Sequence, residues 1–242
     1  MASMVTTGGI LADIGTDHAY VPIALGQRQK IKGAIAMDIN EGPLARAQEH
    51  IRAARLEEYI QTRLSDGAEA LLPNEADSIL IAGMGGELIL HILTEGESVC
   101  STAKELILQP QSEIHKVREY LRRHQYKIED EDMVCEEGKY YPMMRVHYQA
   151  EKNEDADKAI KDMENSKEQK KSRYKVECLY GRYLLMEKNP VLHQYLVKER
   201  QVFENILDNL FKQPESEKIA VRMEEVKEAL GYNEAALAYY RT

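Results

Sequence analysis

The 242-residue chain has no tryptophan and only two phenylalanines, so its fourteen tyrosines supply nearly all of its aromatic surface. Its three cysteines, Cys100, Cys135 and Cys178, are far apart and odd in number. That excludes a disulfide scaffold and the paired spacing of a zinc site, and it fits a reducing cytosol. No run approaches the roughly 20 apolar residues of a membrane span. Met1–Gly9 lacks the basic and apolar regions of a secretory signal, so a soluble, cytoplasmic protein is expected. Positive charge is also short: 32 Lys and Arg face 41 Asp and Glu, a formal net charge of −9. Bulk coating of nucleic acid is thereby excluded, whereas a local basic patch is not.

What is present suffices for a sizeable core, with 43% hydrophobic and 30% charged residues. Up to about residue 148, short β-rich runs alternate with helical patterns, the mark of an α/β layer fold with a largely parallel sheet. The runs are Ile10–Gly15, Gly33–Asp38, Ile60–Leu64, Ser78–Ala82, Glu105–Gln109, Tyr126–Asp130 and Tyr141–Tyr148. They are continuous rather than alternating, as strands covered on both faces are. After residue 150 the texture changes. Glu151–Lys175 is dense in mixed charge, and then Leu196, Glu199, Phe203, Ile206 and Leu210 step by three and four, as do Ile219, Met223, Val226 and Leu230. With Pro214 in the link, that spacing predicts two amphipathic helices packed antiparallel. Two domains are expected, 1–150 and 151–242. The first carries 15 basic and 23 acidic residues and the second 17 and 18, so the acidity sits in the α/β half.

The segment Ala12-Asp13-Ile14-Gly15-Thr16-Asp17-His18-Ala19-Tyr20 runs from the first strand into a helix. A glycine at that bend lets backbone pass close to a ligand. No G-x-G-x-x-G is present, and Asp13 and Asp17 would repel a pyrophosphate. A cationic or zwitterionic ligand is the better match, and S-adenosylmethionine, with a sulfonium and an amino group, is one. Asp38 closes the second strand, where a carboxylate can accept both hydroxyls of a ribose. Asp66-Gly67 closes the third, where the acid can accept from an adenine amino group while glycine admits the ring. Any one of these acids could simply be a strand-end turn or cap. Three closing successive parallel strands outline an adenosine site. At the end of the fourth strand, Gly83-Met84-Gly85-Gly86 leaves room for a flat base, with Met84 packing against it. Histidines such as His18, His50 and His91 show no ligand spacing, so no metal is expected.

On these blocks, together with Glu41-Gly42-Pro43-Leu44 and Leu106-Ile107-Leu108-Gln109-Pro110, residues 10 to about 148 resemble the class I S-adenosylmethionine-dependent methyltransferases. More narrowly, they resemble the bacterial tRNA adenine-22 N(1)-methyltransferase family, the TrmK type. The resemblance implies a Rossmann-like catalytic domain followed by a helical, coiled-coil-like domain, S-adenosylmethionine as cofactor and tRNA as substrate. It implies cofactor contacts for Asp13, Gly15, Asp38, Asp66, Gly67, Gly83 and Met84. Asp17 and His18 become the candidate catalytic residues, and Gly85 and Gly86 face the reacting base. The family usually places a helix ahead of the first strand, which Met1–Gly9 is too short and Gly-rich to supply. Asp38 stands where relatives often carry Glu; either binds a diol.

Adenine N(1) has a lone pair and can attack the methyl group without prior deprotonation, leaving a cationic base. The protein must align the reacting atoms and tolerate that charge. Asp17 suits the latter, and His18 suits positioning of the base or relay of a proton. RNA must be held by local charge. One basic cluster is His115, Lys116, Arg118, Arg122, Arg123 and Lys127. A second is Lys167, Lys170, Lys171, Arg173, Lys175 and Arg182. Both clusters could equally be solvated helix faces. The alternatives are a class I methyltransferase acting on another RNA or a small molecule, and a non-catalytic adenosylmethionine-binding protein that docks a partner through its tail. A monomer is favoured over an oligomer.

Overall fold

The computed structural model describes residues 1–149, 168–214 and 216–241, with 168–171 described through their backbone alone. The first part alternates strand and helix: β1 (Ile10–Ile14), α1 (Tyr20–Gln27), β2 (Gly33–Asp38), α2 (Glu41–Ala53), β3 (Ile60–Leu64), β4 (Ser78–Met84), α3 (Gly86–Glu95), α4 (Glu97–Cys100), β5 (Glu105–Pro110), α5 (Ile114–Arg123), β6 (Tyr126–Glu136) and β7 (Lys139–Tyr148). The seven strands form one sheet in the order β3-β2-β1-β4-β5-β7-β6. β1 to β5 pair in parallel, and β7 runs antiparallel to β5.

Successive residues of the central strands feed opposite faces, which is why these strands are apolar throughout. Ala12, Ile14, Ile79, Ile81, Leu106 and Leu108 join a core with Ile89, Leu93, Val117 and Leu121 of α3 and α5. Leu11, Leu80 and Ile107 join a second core with Leu25 of α1 and Ala47 and Ile51 of α2. Each fully buried Leu or Ile contributes about 1.5–3 kcal/mol. Met1–Gly9 forms turns rather than a helix, yet Met4 and Val5 are buried in the second core. Thr6 ties the segment down: its amide and its hydroxyl each donate to the Glu105 carboxylate at 2.7 Å, and Ser78 Oγ donates to the same group. That network is how a buried acid at the start of β5 is satisfied.

β6 and β7 extend beyond the expected runs and join through Glu137-Gly138, both at positive φ (49° and 78°), the two-residue turn whose twist matches a hairpin.

The chain divides into two compact units, the second of which takes Glu131–Tyr140 of this hairpin together with the C-terminal helices. Those helices are α6 (Glu168–Tyr180), α7 (Arg182–Met186), α8 (Pro190–Phe211) and α9 (Glu217–Ala238). Met133, Val176, Leu184, Leu185, Leu192 and Leu196 share the unit's core. α8 starts at an Asn189 cap whose Oδ1 accepts from Val191 and Leu192 amides. Asn233 of α9, fully buried, donates to Leu196 O at 3.0 Å and to Glu199 at 2.9 Å. A residue late in α9 thus meets residues early in α8, so the pair is antiparallel. The expected seam lies on it, with Leu196 and Val226 buried and Phe203, Ile206, Met223 and Leu230 half-buried. Among the described residues, no helix is long and apolar enough to cross a membrane, and no group of His, Cys, Asp and Glu could hold a metal.

Candidate functional site

The carboxyl ends of β1, β2 and β3 lie side by side, and backbone bonds lock them together. Gly15 and Thr16 amides both donate to Met37 O at 2.8 Å, and the Ser65 amide donates to Asp38 O at 2.9 Å. Gly15 takes φ +78°, open to glycine at little cost. Asp38 is half-buried at the end of β2, and its Oδ1 accepts from the Asn40 amide at 2.8 Å. Asp66 is exposed one strand further on, followed by Gly67 at φ +52° against Ile92. Gly15, Asp38 and Asp66 are therefore brought to one edge.

An open pocket of about 370 Å³ lies at that edge, lined by Ile39, Leu64, Ser65, Asp66, Glu69 and Ala70. Ile39 and Leu64 are 57% and 54% exposed, apolar surface beside a carboxylate, which suits a flat ring with an amino group. Sequence reasoning missed both, because Leu64 looks like a strand end and Ile39 like a turn residue.

Asp13 lies within the sheet, 8% exposed. Burial raises its pKa to about 6 against the opposing effect of the Thr16 hydrogen bond. Among the described residues no cation pairs with it. A buried carboxylate without a counter-charge is a place for a ligand cation.

Beyond the bend, Asp17 is exposed and paired with Arg46 of α2, whose Nε donates to Oδ1 at 3.0 Å. That hydrogen bond from Arg46 lowers the Asp17 pKa. The other carboxylate oxygen faces His18 Nε2 at 3.1 Å. The His18 ring stacks with Tyr20 (4.9 Å between centroids) and His50 (5.0 Å), which also stack with each other. Among the described residues, His18 Nδ1 is buried without a hydrogen-bond partner. This three-ring surface, with Tyr20 65% exposed, was not read from the sequence because His50 lies 32 positions from His18.

At the end of β4 the register shifts between Ala82 and Met84, a bulge centred on Gly83. The Gly83 amide donates to Gln109 Oε1 at 3.0 Å, and the Gly86 amide to Ser112 O at 3.1 Å. Met84 reaches back over Gly15. The Gly83–Gly86 loop thus borders the Gly15 bend after β1.

The basic clusters fare unevenly. Arg118 is a correction: it is 2% exposed within α5, so it cannot meet an RNA phosphate. The helix turns its side chain inward beside Val117 and Leu121. Arg122 is half-buried and Arg123 exposed. Lys116 pairs with Glu87. Arg173 is exposed but hydrogen-bonded to Glu177 at 3.0 Å. Lys167 and the side chains of Lys170 and Lys171 lie outside the described residues.

A family model for a methyltransferase domain matches residues 1–144. The tRNA (adenine(22)-N(1))-methyltransferase of Bacillus subtilis is 33% identical over 239 residues, covering 96% of this chain and 94% of that one. The crystal structure of the tRNA methyltransferase TrmK of B. subtilis superposes with TM-score 0.78 at 30% identity, over 98% of this chain and 95% of that one. A Streptococcus pneumoniae protein crystallised with S-adenosyl-L-methionine superposes with TM-score 0.73 at 33% identity, over 95% of each chain. Strand order, acid-lined edge and full-length similarity agree: the chain belongs to the tRNA (adenine(22)-N(1))-methyltransferase family of methyltransferase-domain proteins.

Proposed function

We propose that this chain transfers a methyl group from S-adenosylmethionine to N(1) of adenine 22 in tRNA. The observation that carries the reading is the alignment of Gly15, Asp38 and Asp66 on adjacent strand ends, in a chain similar to a B. subtilis enzyme of that name over nearly its whole length. The residues present fit the cofactor. The uncompensated Asp13 carboxylate would hold its amino group, Asp38 the ribose diol, and Asp66 with Ile39 and Leu64 the adenine. Bound S-adenosylmethionine supplies an electrophilic methyl group on sulfur.

The protein's part is to bind, orient and balance charge. Gly83–Gly86 leaves space for the target base next to Gly15. Asp17, kept ionised by Arg46, supplies negative charge near the base as it becomes cationic, and it holds His18 by Nε2. Within the second unit and on α5, Arg122, Arg123, Lys170, Lys171 and Arg173 are assigned to tRNA phosphates. The reading takes 1–150 as the catalytic domain and 151–242 as the RNA-holding one, in a monomer working in the cytoplasm.

The test is transfer of labelled methyl groups to an unmodified tRNA transcript, with nucleoside analysis. N(1)-methyladenosine from the natural transcript, and none when adenine 22 is replaced by uracil, is expected. Label in another nucleoside would favour a methyltransferase of different specificity. Binding of the cofactor without transfer would favour a docking protein.

A further inference from the structure

We infer that Gln111 reads the target adenine, its side-chain amide pairing with the N6 and N7 edge of the base; the assignment rests on the function proposed above. The cofactor residues occupy the β3-β2-β1 half of the sheet edge, so the base must enter over the ends of β4 and β5. Gln111 stands there, immediately past β5, and is exposed. Its Nε2 lies 3.8 Å from the point where a Cβ on Gly83 would stand, so the missing side chain at the β4 bulge is the space this amide overhangs. Among the described residues the amide has no hydrogen-bond partner.

Its backbone, by contrast, is pinned. The Gln111 amide donates to Met84 O at 2.8 Å, and Ser112 O accepts from the Gly86 amide at 3.1 Å. Next to it, buried Gln109 accepts from the Gly83 amide at 3.0 Å and donates to Pro110 O at 3.2 Å. An unpaired amide on a rigid mount is what recognition needs.

The chemistry selects adenine. When N(1) attacks the methyl group, the remaining readable edge offers the N6 amino donor and the N7 acceptor. A carboxamide matches both at once, its carbonyl accepting from N6 and its amino group donating to N7. Guanine presents two acceptors there, and either orientation of the amide sets one oxygen or nitrogen lone pair against another. Because methylation draws positive charge onto N6, the bond to the Gln111 carbonyl strengthens toward the transition state. It therefore acts on kcat as well as on binding.

The experiment compares the full chain with Gln111→Ala and Gln111→Glu on two tRNAs, one natural and one carrying 7-deazaadenosine at position 22. Gln111→Ala should lower kcat/KM on natural tRNA about ten- to hundredfold, with S-adenosylmethionine affinity unchanged. Wild-type protein should lose a comparable factor on the deaza tRNA, and the two losses should not multiply. Gln111→Glu, whose second oxygen opposes N7, should be impaired on natural tRNA and partly rescued by the deaza base. Unchanged kinetics for Gln111→Ala, or losses that multiply fully, overturn the assignment and leave the methyltransferase reading standing. Wild-type protein that transfers no methyl group to natural tRNA overturns both.

Discussion

The thioether methyl of Met84 occupies the space that a Cβ on Gly15 would need. The end of β4 is thus packed onto the bend after β1, so the two loops cannot move independently. Gly15→Ala should suffer twice, by displacing Met84 and by placing a side chain at φ +78°, where the backbone alone costs about 1–2 kcal/mol. In a chain of this size each kcal/mol lowers Tm by about 2–4 °C. Gly15→Ala with Met84→Ala should recover only the steric part. Thermal melts of the single and double variants check this, and full recovery would show that the bend is unstrained.

If Asp13 holds the amino group of the cofactor, as proposed, cofactor affinity should depend on pH. Its folded pKa of about 6 exceeds the ordinary 3.8, so between those values the folded form holds a proton that the unfolded chain has lost. Stability from this group is therefore greatest below about pH 4, falls as pH rises toward 6 and is level above. The ionised, ligand-free form carries a cost of about 3 kcal/mol. A cationic amino group brought to the carboxylate offsets that cost, so S-adenosylmethionine affinity should rise with pH through about 6. Asp13→Asn should flatten both profiles and bind the cofactor more weakly at pH 7.5. Urea melts and calorimetry from pH 4.5 to 7.5 are the measurements. An affinity profile equally steep in Asp13→Asn would remove Asp13 from the site.

Most of the sheet was legible because its strands are short, apolar and closed by acids or glycines. Gly33–Asp38 and Ile60–Leu64 match β2 and β3 end to end. The Tyr126 run was read five residues long, to Asp130, because the acids Glu131 and Asp132 that follow have low strand propensity. The observed β6 continues through those acids to Glu136. Both have tertiary partners within the second unit: Glu131 accepts from the Tyr183 amide at 3.0 Å, and Asp132 from the Asn189 side chain at 3.3 Å. A local pattern cannot show such partners. The candidate acids Asp38 and Asp66 could be picked out because one ends β2 and the other closely follows β3. Gln111, Ile39, Leu64 and the ring surface of His18, Tyr20 and His50 were not, since their juxtaposition depends on how strand ends and helices meet. Arg118 was misread for the same reason: a basic run on a helix does not say which member points inward.

Asp17 and His18 should separate from the cofactor residues by phenotype. Both lie past the Gly15 bend, and Asp17 meets Arg46 and His18 rather than the pocket beside Asp66. Asp17→Ala should keep S-adenosylmethionine affinity within about twofold and lower kcat by roughly a hundredfold, the upper range of a lost charge-assisted interaction. His18→Ala should lose less, because His50 and Tyr20 stack on each other at 5.5 Å and can keep much of the ring surface without it. Single-turnover rates with saturating cofactor distinguish binding from chemistry. Parental turnover in Asp17→Ala would leave that carboxylate without a role in the reaction.

Arg118 and Arg123 provide opposite controls for RNA binding from a single helix, α5. Arg123 is exposed near the helix end, where basic residues are also favoured by the helix dipole. A phosphate contact there contributes to affinity through counterion release. Arg123→Ala should therefore weaken tRNA binding and reduce the slope of log K against log salt by about 0.7–0.9, while leaving Tm nearly unchanged. Arg118 is buried, and its guanidinium lies inside a packed unit. Arg118→Met should keep the salt slope of the wild type. Its cost falls on folding, on the order of a few kcal/mol if the groups it contacts are left unpaired. Filter binding across a salt series, run beside thermal melts of both variants, separates the two roles. A reduced salt slope in Arg118→Met at unchanged Tm would mean that the guanidinium leaves the core to meet RNA, whereas an unchanged slope in Arg123→Ala would move the phosphate contacts off α5 and onto the helices of the second unit.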